Sequence, residues 1–168
     1  MITVLSGGTM NNKRFPLCLA GISLVAVLLD QFTKYLTVLL LPIGADGGTV
    51  LGLFHLTHHR NTGAAWSMME GQTWFFLLVL AVFLVGIAYA YQKRWLDKAA
   101  EWVCMAVIVG GALGNGVDRV FRGGEVVDMI EFEFWRSFPT FNVADCCITL
   151  GCAALFVYML FFDRKSAE

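Results

Sequence analysis

Four long apolar stretches alternate with more polar segments along this chain. They cover residues of about 15–41, 74–91, 99–117 and 141–162. Each provides roughly 17–27 residues, the length that a helix needs to cross the hydrocarbon core of a bilayer. The runs are continuous rather than alternating, so they do not fit the strands of a membrane barrel. The pattern therefore predicts an all-α membrane protein, with four transmembrane helices in a single polytopic domain over residues 1–168.

The segments that separate these helices differ in length and character. Residues 42–73 contain a partly alternating, β-prone stretch from Leu53 to Arg60 between glycine-rich turns, which predicts a strand or hairpin at the membrane surface. Residues 118–140 mix acidic with aromatic side chains, as is typical of a layer at the level of the lipid headgroups. We therefore expect a small cap of β and loop structure on one end of the helices.

Composition supports a membrane protein, since 58% of the residues are hydrophobic and 15% are charged. The net charge is −1 and no basic cluster is interleaved with aromatic residues, so a nucleic-acid partner is not expected. The five cysteines lie in apolar runs, are odd in number and lack Cys-x-x-Cys spacing, which disfavours a disulfide frame or a zinc site. They are interpreted as small packing residues.

The three histidines do not form a metal-binding pattern. His55, His58 and His59 lack the His-Glu-x-x-His spacing, and on a strand His58 would point away from the other two. We expect exposed strand positions for these histidines, with no metal and no cofactor.

The distribution of lysine and arginine predicts the orientation of the chain. Seven basic residues flank one end of the helices, at Lys13, Arg14, Lys93, Arg94, Lys98, Arg164 and Lys165. The opposite end carries Arg60, Arg119, Arg122 and Arg136, with Lys34 near it in the first span. Because positive charge is retained on the cytoplasmic side, both termini are predicted to be cytoplasmic and both longer loops, 42–73 and 118–140, extracytoplasmic. Residues 1–12 are expected to be a disordered tail, or else to contain an alternative start at Met10.

Polar residues lie at one membrane level in three of the spans. Their helical spacing puts Asn142 with Asp145, Asn115 with Asp118 and Arg119, and Asp30 with Lys34, each set on one face. If the faces converge, they form a polar pocket inside the bundle; the alternative is that these are interfacial residues that reach towards water. Asp128, just after Val126 and Val127, adds a second acid near the membrane, and the small residues Gly63 and Gly111 would admit a substrate backbone or a neighbouring helix.

Five sequence blocks occur in the order of a known family. They are DQFTK (30–34), NTGAA (61–65), GGALGNGVDR (110–119), VVDMI (126–130) and FNVADCCI (141–148). Together they resemble the bacterial lipoprotein signal peptidase family, signal peptidase II, over about residues 15–162. The resemblance implies a hydrolase of the bacterial cytoplasmic (inner) membrane, active at its outer face, that removes the signal peptide from lipid-modified prolipoproteins. The cut would fall just before the diacylglyceryl-cysteine.

The same resemblance assigns roles to individual residues. The catalytic aspartates of the family fall on Asp128 and Asp145. Site-lining residues of the family fall on Asp30, Asn61, Gly111, Asn115, Arg119 and Asn142. Lys34, Gly63 and Asp118 complete the predicted site as supporting residues. Two departures are Trp66, where the family usually has Phe, and a step from Arg119 to Asp128 that is one residue longer than usual.

Two neighbouring carboxylates cannot both ionise cheaply, so one would hold a proton while the other acts as a base towards water. The rival interpretations are a small ion- or proton-coupled transporter with intramembrane acids, and a non-catalytic four-helix scaffold. Neither an internal repeat nor matched breaks in the helices support the transporter. Expected partners are prolipoproteins and membrane lipids; the oligomeric state is left open, and a monomer is compatible with the sequence.

Overall fold

A computed structural model describes residues 15–96 and 98–162. Its helices are α1 (Phe15–Leu40), α2 (Thr73–Lys93), α3 (Ala99–Phe121) and α4 (Val143–Phe161). Its strands are β1 (Thr49–Val50), β2 (Phe54–Asn61) and β3 (Val126–Phe132), and a short 3-10 turn covers Ala65–Ser67. All four helices are long and apolar enough to cross a membrane, which confirms the predicted fold class. The predicted tail 1–12 and the basic residues at 13–14 and 164–165 lie outside the described residues.

Helix α3 is the centre of the bundle and packs against all three other helices, most extensively against α4 and α1. Glycines allow the close approach. A Cβ at Gly110 would stand 2.6 Å from the Cβ of Ala26 in α1, and one at Gly151 of α4 would stand 2.7 Å from Ile108 in α3. Gly110 of α3 and Gly151 of α4 therefore allow α1 and α4 to pack closely against the same helix.

Helix α2 lies apart from this core. None of its described residues is buried, and its contacts with α3 are sparse. Since its sequence is apolar along its whole length, this helix presents most of its surface to lipid and leaves a space between itself and α3 and α4.

The three strands form one antiparallel sheet in the order β1-β2-β3, at the end of the bundle where α1 and α3 finish. The register pairs Asn61 with Val126 and His59 with Asp128. A β-bulge lies between Leu56 and His59. Phe141 adds a bridge to Ile130, which brings the start of α4 to the edge of β3. The sheet thus covers the end of the bundle, and Asp128 lies on it.

The structure differs from the sequence-based expectations in three places. Helix α3 continues to Phe121, so the first part of the predicted loop 118–140 is helical, and residues 126–132 of that loop are a strand. The strand predicted at 53–60 is present as β2. His55 and His58 are buried, at 9% and 3% exposure, and His59 is exposed. The bulge explains why His55 and His58 are both buried, because its extra residue changes which side chains of the strand face inward.

Candidate active site

A cavity of about 620 Å³ opens between α2, α3, α4 and the sheet. Two acidic side chains of the predicted site line it, Asp128 and Asp145, together with four others: Asn61, Gly63, Asn115 and Arg119. The remaining wall is mostly apolar and comes largely from α2, with further residues from α3, α4 and the segments 64–66 and 138–141. Because the acids lie at the sheet end and the apolar wall follows the helices, the cavity suits an extended substrate with a long apolar part.

Asp145 is held by the start of α4. Asn142 is the N-cap of this helix, and its Oδ1 accepts from the backbone N of Asp145 at 3.0 Å. In return, Asp145 Oδ2 accepts from the backbone N of Asn142 at 3.1 Å. This reciprocal pair is a capping box with aspartate in place of the usual Glu or Gln. The helix start therefore fixes the position of the carboxylate.

Asp128 reaches the same region from β3 and is 2% exposed. Its Oδ1 accepts from Asn142 Nδ2 at 2.6 Å, and its Oδ2 accepts from Asn61 Nδ2 at 2.9 Å. Asn142 thus contacts both acids, through its backbone N on Asp145 and its side-chain amide on Asp128. The sheet and α4 bring together two carboxylates that are 17 residues apart in the chain.

The orientation of each amide around the acids is determined by its other contacts. Asn61 Oδ1 accepts from the backbone N of Gly63 at 2.9 Å, and Asn142 Oδ1 accepts at the helix cap. Asn115 Oδ1 accepts from Lys34 Nζ at 2.9 Å and from Asn142 Nδ2 at 3.1 Å, so its own Nδ2 faces Asp145 Oδ1 at 2.8 Å. Since an amide that accepts through oxygen must donate through nitrogen, all three asparagines present N–H groups to the acids.

A second layer of charged groups lies behind the cavity. Lys34, Asp30 and Asp118 are fully buried, and the lysine ammonium contacts Asp30 Oδ2 at 2.8 Å and Asp118 Oδ2 at 3.1 Å. Arg122 Nε also donates to Asp118 Oδ1 at 3.0 Å. Buried charges of this kind are tolerated when they are paired and hydrogen-bonded. Asp30, Lys34 and Asp118 are therefore not interfacial groups that reach towards water.

The environment of Asp128 disfavours its ionised form. Burial, together with the nearby charge of Asp145, raises the pKa of Asp128 to about 7, although the hydrogen bonds from Asn61 and Asn142 act in the opposite direction. A carboxyl group that keeps its proton near neutral pH can act as an acid beside an ionised neighbour.

Arg119 joins three elements at the rim of the cavity. It donates to the carbonyl oxygens of Gly63 at 2.7 Å and Gly124 at 3.2 Å, and its guanidinium lies 3.9 Å from the ring centre of Phe76. Gly111 lies behind the site, where a Cβ would collide with Ala144 and with Ile148. The eleven predicted residues therefore divide into six that line the cavity and five that support it: Asp30, Lys34, Gly111, Asp118 and Asn142.

Sequence reasoning missed several contributors. Gln31 Nε2 donates to Asp118 Oδ1 at 3.0 Å and to the carbonyl of Gly114 at 3.1 Å. Its place inside the DQFTK block was the available signal. Phe138 and Phe141 line the cavity, and Phe138 lies 6.2 Å from the ring of Trp66. The sequence predicts aromatic residues at the headgroup level in this region and does not link them to the site.

A hydrolytic metal centre does not fit the described residues. No group of three His, Cys, Asp or Glu side chains among them could hold an ion. His58 Nδ1 lies 2.8 Å from the carbonyl of Leu41, and its Nε2 accepts from Arg60 Nε at 3.1 Å, so both ring nitrogens are engaged.

Comparison with known proteins gives a consistent result. Residues 22–161 match the sequence model described as "Signal peptidase (SPase) II". A protein of Bacillus pumilus named lipoprotein signal peptidase is 41% identical over 148 residues, which cover 88% of this chain and 95% of that protein. A protein of the same name from Enterococcus faecalis is 41% identical over 147 residues, covering 88% of this chain and 89% of that protein. A solved bacterial membrane enzyme is similar in structure, with a TM-score of 0.79 and 32% identity over 90% of this chain and 93% of the other.

Proposed function

This chain belongs to the signal peptidase II family of aspartic peptidases, and on that premise we propose that Asp128 and Asp145 carry out its peptide hydrolysis. The observation that supports these two residues is the shared cavity, in which both acids accept hydrogen bonds from oriented asparagine amides. The proposed substrates are prolipoproteins, in accord with the name of the relatives. The proposed cut lies just before the lipid-modified cysteine.

The reaction needs one ionised and one protonated carboxyl group. The ionised aspartate takes a proton from water as the oxygen attacks the scissile carbonyl carbon. The protonated aspartate first donates a hydrogen bond to the carbonyl oxygen and then gives its proton to the leaving nitrogen as the C–N bond breaks. The aspartate that was ionised now holds the proton taken from water and the other has given its proton to the amine, so the two protonation states are exchanged and proton exchange with water restores them. The pair titrates as a unit, so the two roles belong to the dyad.

The fixed N–H donors suit this chemistry. They hold both carboxylates in place without a further rearrangement during the reaction, as preorganised polar groups do in other active sites. The apolar wall, largely from α2, suits the lipid-modified part of the substrate, and the small residues Gly63, Ala64 and Ala65 in the cavity lining leave room for its extended backbone.

We also propose that the sheet end of the bundle faces outward and that the loop between α2 and α3 faces the cytoplasm, because lysine and arginine cluster at that loop. Single cysteines placed at Trp95 and at Gly47, in a chain whose own cysteines are replaced, test this orientation. A membrane-impermeant thiol reagent applied to intact cells should label position 47 and spare position 95. Labelling of position 95 would reverse the topology.

Nothing in the comparisons favours the transporter. The buried acids are engaged by hydrogen bonds and by the ammonium of Lys34. A cleavage assay separates the two functions. Purified protein in detergent, given a lipid-modified prolipoprotein peptide, should release one signal peptide with its end before the modified cysteine.

Asp128→Asn and Asp145→Asn should each lower turnover by at least about 10²–10⁴-fold, the contribution usual for general acid–base catalysis. Asp46→Asn, which removes an exposed carboxylate from the loop before β1, is the matched control and should cleave normally. Normal turnover in either of the first two variants would remove that residue from the mechanism.

A further inference from the structure

The ammonium group of Lys34 has an acceptor for each of its three hydrogens. They are Asp30 Oδ2 at 2.8 Å, Asn115 Oδ1 at 2.9 Å and Asp118 Oδ2 at 3.1 Å. A lysine ammonium has three donors, so this set satisfies it fully. The side chain is 0% exposed, and so are those of Asp30 and Asp118. The lysine has therefore left water for a single, completely defined position in the bundle.

The two carboxylates on Lys34 each hold the backbone next to one of the proposed catalytic residues. Asp30 Oδ1 accepts from the backbone N of Ala144, the residue before Asp145, at 2.9 Å. Asp118 Oδ2 accepts from the backbone N of Val127, the residue before Asp128, at 3.1 Å. The helix and the strand that carry the two acids are thus each tied to a carboxylate, and both carboxylates are tied to the same ammonium.

The third contact of Lys34 leads directly to an acid. Lys34 donates to Asn115 Oδ1, which turns the amide nitrogen of Asn115 to Asp145 Oδ1. Without this donor, Asn142 alone would orient Asn115, at 3.1 Å. Lys34 is therefore linked to both acids through one residue in each case. Asn115 links it to the Asp145 carboxylate, Asp30 to the backbone before Asp145, and Asp118 to the backbone before Asp128.

We propose that Lys34 is a positioning residue for peptide hydrolysis, which sets the relative position of Asp128 and Asp145 through Asp30, Asp118 and Asn115. This inference rests on the proposed function, because it assigns Lys34 a role only if those two acids react. Lys34 does not line the cavity and makes no contact with substrate in this role.

A lysine suits this position for a physical reason. Asp30 and Asp118 are both buried carboxylates. An apolar residue in place of Lys34 would remove the positive charge that both of them share, and burying these charges would then be more costly. Gly114 makes room for the arrangement, because a Cβ there would stand 2.6 Å from Asp30 Oδ2. The positive charge of Lys34 also lowers the pKa of Asp128, although burial dominates that pKa. Its loss would thus change both the geometry and the titration of the dyad.

The test uses two variants of the full-length protein in the cleavage assay. Lys34→Met keeps most of the apolar stem and removes the ammonium. The double variant Lys34→Gln/Asp118→Asn removes one positive and one negative charge together. The net charge of the cluster is then unchanged, so this variant should lose less folding stability than Lys34→Met. Lys93→Met, at the exposed end of α2, is the matched control.

A displacement of reacting groups by about 1 Å lowers rates by about 10²-fold. We expect a loss of this size in kcat for both variants, with KM little changed. For Lys34→Met we also expect the limbs of the pH–rate profile to move to higher pH, because the ionised carboxylates lose a stabilising charge. Lys93→Met should match the unaltered protein in all three quantities.

Two results would overturn the proposal. One is a folded Lys34→Met protein whose kcat and pH limbs equal those of the unaltered chain. The other is failure of both variants to fold, judged by melting and by elution as a defined species, which would make Lys34 a residue of the fold and not of positioning. The Asp128→Asn and Asp145→Asn variants run in parallel separate these results from a failure of the proposed function, since they lose turnover only if the dyad is correct.

Discussion

Replacing Asp128 with asparagine tests the burial of this acid through the pH dependence of stability. Because the folded pKa is about 7 and the ordinary value is 3.8, the native state keeps a proton that the unfolded chain releases. The native state binds more protons between those two values, so the free energy of unfolding falls as pH rises through this window. The asparagine variant lacks this titration and does not lose stability in the same way.

The size of the effect follows from the shift in pKa. One pKa unit corresponds to about 1.4 kcal/mol, so the destabilisation by ionised Asp128 reaches about 4 kcal/mol once pH exceeds 7. Between pH 5 and pH 8 the increment is about 3 kcal/mol by the same relation.

Asparagine has a separate cost that does not depend on pH. Both oxygens of Asp128 accept from N–H groups, so the amide nitrogen of the new side chain faces a donor, at a cost of about 1–3 kcal/mol. We therefore expect the variant to be equal to or less stable than the unaltered protein at pH 5, and more stable at pH 8.

The assay is denaturant unfolding in detergent micelles at several pH values, followed by tryptophan fluorescence. Asp46→Asn controls for the loss of one negative charge. The reasoning is refuted if the free energies of the Asp128→Asn variant and the unaltered protein run parallel from pH 5 to pH 8, because Asp128 would then titrate alike in the folded and unfolded states.

Three further predictions concern neighbouring features. Asn142→Ala removes the helix cap and should lower the free energy of unfolding by about 1 kcal/mol, and it should also abolish most turnover. Asn142→Ser should restore the cap and the stability but not the turnover. If the Ser variant were as active as the unaltered protein, the proposed role of the Asn142 amide on Asp128 would be wrong. Gly114→Ala should lower the melting temperature by forcing Asp30 away from Lys34, whereas Gly86→Ala, where a Cβ meets nothing within 4 Å, should not; similar melting of both would contradict the close approach. EDTA should leave cleavage unchanged, and a loss of activity that added zinc restores would revive a metal role for the histidines.

The sequence was sufficient for features that depend on local spacing. Continuous apolar runs predicted the four helices, and the three-residue step from Asn142 to Asp145 predicted a shared face, which the helix cap realises. The four-residue step from Asp30 to Lys34 likewise predicted that these side chains lie on one face of a helix, and in the structure they form an ion pair. Periodicity is enough here, because each pair belongs to one helix.

Contacts between distant segments could not be read in the same way. Strand β3 forms by pairing with β2, about 70 residues earlier, and local spacing in the sequence carries no signal for a partner at that distance. The bulge that buries His55 and His58 depends on the same pairing. The backbone donors of Val127 and Ala144 carry no signal in the sequence, because any residue except proline supplies an N–H.

Because Asp145 belongs to the capping box of α4, finding an aspartate at this position in a relative is weaker evidence of activity than finding one at the position of Asp128. Asp145 accepts from the backbone of Asn142, so a folded but inactive descendant would still be under selection to keep an acceptor there. Asp128 accepts from asparagine side chains, and its strand is held by backbone pairing that other residues can also make. When relatives of this chain are sorted into active enzymes and degenerate copies, the residue aligned with Asp128 is therefore the more informative of the two.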